Sequence, residues 1–292
     1  MYQQLIDDFI QQERLPATYG SDARRCFLPL IRDIVEAMQS QERRPFVLGI
    51  NGAQGTGKST LAKLLSCLLQ QAGYRVANLS IDDFYYSRAR RRELAATVHP
   101  LLDSRGVPGT HDVDLALLLM QQLKDAGARD HITLPGFDKA VDDCLAPEAC
   151  TRLQGPFDVV ILEGWFVGAT PQKEVELGTP INDLERSEDA DGRWREYVND
   201  ALAGDYQKLF AQLHMLVMLE APGFEAVFKW RSLQEEKLRL GAASGASGLM
   251  DSDAIARFIQ HFERLTRHCL GTLPESADRV FLLDAQHRIH PA

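Results

Sequence analysis

The stretch Gly52-Ala53-Gln54-Gly55-Thr56-Gly57-Lys58-Ser59 matches G-x-x-x-x-G-K-[ST]. Glycines at this spacing let backbone N–H groups turn inward around a phosphate, and a helix starting near Lys58 adds its positive N-terminal end. By that chemistry Lys58 reaches the β- and γ-phosphates of ATP and the Ser59 hydroxyl ligates Mg²⁺. The expected cofactor-binding set is Gly52, Ala53, Gln54, Gly55, Thr56, Gly57, Lys58, Ser59 and Thr60. The alternative is a glycine-rich turn that serves packing alone.

Two further segments carry carboxylates. Ser80-Ile81-Asp82-Asp83-Phe84-Tyr85 follows an apolar run, so its aspartates fall at the carboxyl edge of a sheet, where open α/β folds bind ligands. Asp82 there can accept a proton from an attacking hydroxyl or orient it, whereas either aspartate can instead cap the next helix. Val159-Val160-Ile161-Leu162-Glu163-Gly164 has the apolar run and terminal carboxylate of a Walker B strand, which puts Glu163 beside the metal with Ser59. No NKxD-type guanine-reading motif is present, which disfavours a GTPase switch.

These residues need a scaffold. Phe46 to Ile50 reads as a buried parallel strand, followed by the glycine-rich turn, a helix over Lys58 to Gln71, a stop at Gly73 and a second strand over Arg75 to Ile81. Further strands are expected at Ile132–Leu134, Phe157–Leu162, His214–Leu219 and Val280–Leu283. Helices are expected at Val113–Asp125, Gly223–Leu240 and Asp253–His268. The alternation implies an α/β three-layer sandwich with a mostly parallel sheet, the P-loop NTPase architecture.

Residues 1–44 read as a helical extension, two amphipathic helices separated near Pro16 to Gly20, packed on a kinase-like domain of 45–292. An insertion at 166–212 and a lid-like helical segment at 223–250 complete that division. Gly168 to Asp191 is polar and turn-rich, and Gly241 to Gly248 is rich in small residues, so both read as candidate mobile loops.

Composition narrows the function classes. Of the 292 residues, 45% are hydrophobic and 25% charged, which excludes disordered and fibrous chains. A net charge of -9 opposes a nucleic-acid backbone while leaving room for a small anion in a locally cationic cleft. Five cysteines without metal-ligand spacing suit reduced thiols in the cytoplasm. No stretch reaches the about 20 apolar residues of a membrane span, and the first residues lack a signal-peptide pattern, so a soluble cytoplasmic protein is expected. Nothing in the sequence reports oligomeric state.

Taken in order, several motifs resemble the D-glycerate 3-kinase family. They are Gly52 to Ser59, Ser80 to Tyr85, His99-Pro100-Leu101-Leu102 with Arg105 to Asp112, Phe137-Asp138-Lys139, Glu163-Gly164-Trp165, and Trp230-Arg231 with Gln234-Glu235. That family is similar in fold to pantothenate kinase, uridine kinase and phosphoribulokinase. The resemblance implies transfer of the ATP γ-phosphate to the 3-hydroxyl of D-glycerate. It also implies Asp82 as base or orienter, Arg105, His111 and Asp112 in a substrate loop, and Arg231 on a lid-like helix whose cations approach the phosphates. The expected catalytic set is Lys58, Asp82, Glu163 and Arg231.

Glycerate is a carboxylate, and Arg105, His111 and Lys139 are the donors these segments offer it. Each has a structural alternative: a buried histidine for His111, a helix cap for Asp112, a loop anchor for Arg105, a surface helix for Arg231. The cluster Arg88, Arg90, Arg91 and Arg92 reads as a solvated helix face. After Phe137-Asp138-Lys139 the chain continues AVDDCLAPEAC, unlike the GRGDR-like stretch of plant-type members, which leaves another small hydroxylated metabolite as acceptor. A nucleotide-dependent regulatory ATPase is the alternative from a different class.

Overall fold

The computed structural model describes residues 2–41, 44–231 and 252–292. The chain opens with α1 (Tyr2–Gln12), α2 (Ala17–Asp22) and α3 (Leu28–Gln39), the last two joined by a π-helical turn at Ala23–Phe27. The break between the N-terminal helices therefore lies at 13–16, earlier than Pro16 to Gly20, because the chain is already helical from Ala17.

There follow β1 (Phe46–Gly52), α4 (Lys58–Gln71), β2 (Val76–Ser80), α5 (Arg88–Thr97) and α6 (Val113–Asp125). Four short strands come next, β3 (His131–Thr133), β4 (Phe137–Asp138), β5 (Asp143–Cys144) and β6 (Arg152–Gln154), before β7 (Val159–Gly164). The second half holds α7 (Glu174–Leu177), α8 (Asp183–Glu188), α9 (Arg193–Ala201), α10 (Gln207–Phe210) and β8 (Met215–Glu220). It ends with α11, described over 224–231, α12 (Ser252–Ser276), β9 (Arg279–Leu283) and β10 (Ile289–Pro291).

Six strands form the main sheet in the order β10-β9-β8-β1-β7-β2, parallel except for the β10 edge. All seven residues of β1 are buried, as a strand flanked on both sides and covered on both faces requires. Alternate β1 side chains enter two cores. Phe46, Leu48 and Ile50 join α4 and the N-terminal helices through Ile6, Phe27, Leu61 and Leu65, whereas Val47 joins α6 and α12 through Leu119, Phe262 and Leu265. This is the three-layer α/β sandwich.

Several expectations are corrected. The strand near Ile132 lies outside the parallel sheet: β3 pairs antiparallel with β6 in a separate two-stranded ribbon. Gly168 to Asp191 carries α7 and α8 and is tied down by buried ion pairs, so its polarity reflects pairing and not a loose loop. Glu185, fully buried, accepts from Arg264 Nε at 2.7 Å and Nη2 at 2.6 Å, and the equally buried Asp189 accepts from Arg195 Nη1 at 2.9 Å. The last helix runs past His268 to Ser276, with Pro274 inside its final turns. Of the helix expected over Gly223 to Leu240, residues 224–231 are helical; the remainder and the Gly241 to Gly248 stretch lie outside the described residues.

Arg264 also donates to the Glu176 and Thr179 carbonyls, so one guanidinium links α12 to α7, α8 and the turn between them. Removing one partner of a buried pair strands the other charge, which costs about 3–5 kcal/mol. Arg264→Met should lower stability by that order in urea unfolding. Combining it with Glu185→Leu should restore part of the loss, since neither charge of this pair is then left buried alone.

Candidate active site

Each strand of the site delivers one functional group to the carboxyl edge of the sheet. Where β1 ends, the chain turns through Gly57, which caps α4 with φ of 90°, a left-handed conformation that glycine adopts without strain. Gln54, Gly55, Gly57, Lys58, Ser59 and Thr60 line a cleft of about 630 Å³. Gly52, Ala53 and Thr56 shape the turn beneath it, Thr56 Oγ1 donating to the Ala53 carbonyl at 2.8 Å. The N-terminal N–H groups of α4 receive no side-chain cap, which leaves an anion cradle with Lys58 at its side.

The parallel register of β7 sets Ile50 opposite Glu163 on one side and Ser80 opposite Glu163 on the other. Glu163 is buried, and its Oε1 accepts from Ser59 Oγ at 2.7 Å. Its Oε2 is buried without a hydrogen-bond partner among the described residues. A hydroxyl and a carboxylate with one uncommitted oxygen form the hard oxygen pair that a divalent cation takes beside phosphates, so these residues fit one.

Asp82 sits in a 3₁₀ turn at Ile81–Phe84, directly after β2. Its Oδ1 accepts from the Tyr85 hydroxyl at 2.9 Å and its Oδ2 from Lys139 Nζ at 2.6 Å. Burial pushes this carboxyl upward, but the Lys139 and Lys58 cations outweigh burial and hold it below the usual range. Asp83 does the capping, its Oδ2 accepting from the Ser80 amide at 3.3 Å. Burial, with Asp82 and Glu163 nearby, pushes Asp83 up to about 6. Neighbouring aspartates thus separate into an ionised carboxylate facing the cleft and a capping group.

Arg105, Lys139 and Arg231 line the same cleft. Arg105 pairs with Asp142, donates to the Lys139 carbonyl at 3.4 Å and lies 5.5 Å from the Phe137 ring centroid. The Arg231 guanidinium lies 5.9 Å from the Phe258 ring. Gln234 and Glu235 fall outside the described residues.

Two expected substrate contacts do not reach the cleft lining. His111 is buried behind Tyr85, ring centroids 4.5 Å apart, with Nδ1 2.7 Å from the Tyr206 hydroxyl. Gly109 N–H donates to the same Tyr206 Oη at 3.0 Å, so one hydroxyl ties both His111 and the turn before it to Tyr206. Burial pushes His111 down to about 3, so the ring is neutral. Asp112 caps α6, its Oδ1 accepting from the Leu115 amide at 2.9 Å, and it faces a different pocket. Backbone capping claimed it.

The sequence alone assigns no site role to several other residues found here. Trp165 lines the cleft and its Nε1–H donates to the Gly106 carbonyl at 3.0 Å, which anchors the Arg105 loop to the end of β7. Arg91 is fully buried, a correction to the solvated face expected for its cluster. It donates to the carbonyls of Tyr86, Asp103 and Asp142 and pairs with the Asp142 carboxylate at 2.9 Å. The signal for Arg91 was its place one turn before Leu94, on the face of α5 that packs inward. Asp142 and Tyr85 had no comparable signal. No helix among the described residues is long and apolar enough to cross a membrane.

The chain is similar to several known proteins. The family described as methylmalonyl Co-A mutase-associated GTPase MeaB matches residues 22–86, the part holding the P-loop and the Asp82 turn. The uncharacterized kinase mug58 of Schizosaccharomyces pombe is 33% identical over 256 residues, covering 83% of this chain and 87% of that protein. The chloroplastic D-glycerate 3-kinase of Arabidopsis thaliana is 25% identical over 263 residues, covering 85% of this chain but 54% of that protein, so the chain spans about half the plant enzyme's length. The structure of D-glycerate 3-kinase from Cryptococcus neoformans superposes with a TM-score of 0.72 over 90% of this chain and 96% of that one; at 23% identity the likeness is one of fold. With 33% identity to the kinase mug58 extending across most of both chains, and with a P-loop, a buried strand-end glutamate and an ionised aspartate gathered in one cleft, the chain belongs to the same family of P-loop kinases as mug58 and is an ATP-dependent phosphotransferase.

Proposed function

We propose that the protein phosphorylates the 3-hydroxyl of D-glycerate, giving 3-phosphoglycerate. One observation supports the choice of acceptor: Lys139 pairs with Asp82 and Arg105 lines the same cleft, which begins at the P-loop, so an acceptor whose hydroxyl sits at Asp82 has two cations in that cleft to receive a carboxylate. A neutral nucleoside needs neither cation.

In this reading Ser59 and Glu163 hold Mg²⁺, which when bound supplies charge neutralisation to the phosphates. Lys58 and the N–H groups of the 52–60 turn bind the β- and γ-phosphates and offset the charge that spreads over the transferred group. Asp82 orients the acceptor hydroxyl in line and takes its proton at Oδ2. Arg231 approaches from α11, beside the aromatic wall of Phe258, and helps exclude water. His111 and Asp112 contribute by holding Tyr85 and α6, not by touching the acceptor. The same reading treats 1–44 as a helical cover on a catalytic domain of 45–292. A chain with five unpaired cysteines suits a reducing compartment such as the cytoplasm.

The deciding experiment incubates the protein with Mg·ATP and glycerate, pantothenate, uridine and sugar phosphates in turn, reading products by mass. Phosphoglycerate is expected; a phosphorylated product from another member of the panel alone would move the acceptor, and phosphate release without any phosphorylated alcohol would favour a regulatory ATPase. Lys58→Ala should reduce turnover by about 10²–10³-fold or more. Asp82→Asn should leave ATP affinity within about twofold while turnover falls by about 10²–10⁴-fold.

The pH dependence follows from the charges around Asp82. Lys139 and Lys58 keep its carboxyl below the ordinary range in the free enzyme, so the wild-type kcat/KM for the acceptor should show no acid limb from this group between pH 5 and 8. In Lys139→Met burial faces less opposition and the pKa rises. Its acid limb should therefore move up in pH, with kcat/KM lost as protonation removes the acceptor of the hydroxyl proton. An unchanged limb in the variant would separate Asp82 from that step.

A further inference from the structure

Lys139 stands where an acceptor hydroxyl has to arrive. Its Nζ is 2.6 Å from Asp82 Oδ2, while Oδ1 already accepts from Tyr85, so each oxygen of the carboxylate is engaged. The two partners differ in how firmly they are held. Tyr85 is buried, stacked on His111 and edge-on to Phe137. The Lys139 side chain is 60% exposed and sits on a flexible four-carbon stem.

The backbone behind Lys139 is fixed. Lys139 opens the four-residue loop between β4 and β5, and Asp142 in that loop has φ of 60°, a left-handed conformation uncommon outside glycine. Asp142 is clamped by Arg105 and by the buried Arg91, whose guanidinium also takes the Asp142 carbonyl. The hairpin is therefore a rigid arm carrying one movable cation, and what yields on acceptor entry is the lysine side chain.

We propose that Lys139 masks Asp82 until an anionic alcohol draws the ammonium away, which makes Lys139 the residue that selects carboxylated acceptors over neutral alcohols and over water. The proposal rests on the assignment of Asp82 as the group that orients the attacking oxygen. Opening the pair leaves the ammonium without its carboxylate, and the acceptor's own carboxylate offsets that loss by giving Lys139 a new partner beside Arg105 as the hydroxyl takes its place at Oδ2. Water and a neutral alcohol bring no such partner. They must displace the ammonium without compensation, so the mask restrains wasteful hydrolysis of ATP.

With the mask removed, water reacts at the same place. Its oxygen forms a bond to the γ-phosphorus, the bond from that phosphorus to the β,γ-bridging oxygen breaks with its electron pair leaving on ADP, and the water proton passes to Asp82 and then to solvent. The products are ADP and inorganic phosphate.

The test measures phosphate release from Mg·ATP by the purified full chain without any acceptor, in wild type, Lys139→Met, Lys139→Arg and Lys139→Met/Asp82→Asn. Lys139→Met should raise hydrolysis about 5- to 10-fold, a fraction of what a fully positioned base contributes. Lys139→Arg, which can still cover the carboxylate, should raise hydrolysis less than Lys139→Met does, and the double variant should lose the gain. The ratio of kcat/KM for glycerate to that for glycerol should also fall at least about tenfold in Lys139→Met. Hydrolysis that stays at or below the wild-type level in Lys139→Met, or that rises equally with Asp82 neutralised, overturns the proposal. A wild type that fails to phosphorylate glycerate would instead refute the acceptor assignment and leave the hydrolysis comparison standing.

Discussion

The hydrogen bond from Ser59 to Glu163 exists because three neighbouring strands, β2, β7 and β1, run parallel and end at one level. Ser59 follows β1, Glu163 is next to last in β7, and Asp82 comes just after β2. A strand slipped by one residue would turn Glu163 from the site into a core face. Register in turn depends on the two apolar layers, since Val160 and Leu162 point into one core and Val159 and Ile161 into the other. The geometry of the phosphate end is thus a consequence of burial on both faces of the sheet.

Electrostatics then divides labour among carboxylates that the fold has brought close together. Asp82, Asp83 and Glu163 lie near one another, and three like charges in a half-buried place repel. Asp82 is held ionised by Lys58 and Lys139, Glu163 is bound to a hydroxyl, and Asp83 has a single backbone donor and is pushed toward its neutral form. Of the two aspartates, the one that keeps its charge is the one facing the cleft. A chain of net charge -9 can therefore present cations in its cleft, because the field there comes from Arg105, Lys139 and Lys58 at short range.

The sequence was most readable where structure is local. The bounds of α4 and α6, the P-loop turn and the apolar runs of the parallel strands follow from periodicity, glycine placement and short-range capping. Readability failed where a side chain's fate is decided by a distant partner. Arg91 looks like its exposed neighbours until Asp142, 51 residues away, is seen to need it. Glu185 and Asp189 read as loop residues because a buried paired carboxylate is written with the same letters as a solvated one. β4 and β5 have two residues each, too few to show a period, and β10 is an edge strand that pairs back on β9. His111 and Asp112 stood in a motif yet were claimed by packing and capping, two demands a motif match does not distinguish.

The two ends of the cleft are built on different principles. The phosphate end comes from nine consecutive residues and one strand end, so its shape is set once β1 and β7 pair. The proposed acceptor end is assembled from the Arg105 loop, the β4–β5 hairpin and the Asp82 turn, and it is held by Asp142, a carboxylate shared between two arginines. Without that negative charge Arg91 and Arg105 would be like charges meeting beside Phe137, so the carboxylate is what allows a second arginine to face the cleft. It follows that changes in the Arg105 loop or in residues 137–144 can alter the acceptor chemistry without disturbing the register that fixes Lys58, Ser59 and Glu163.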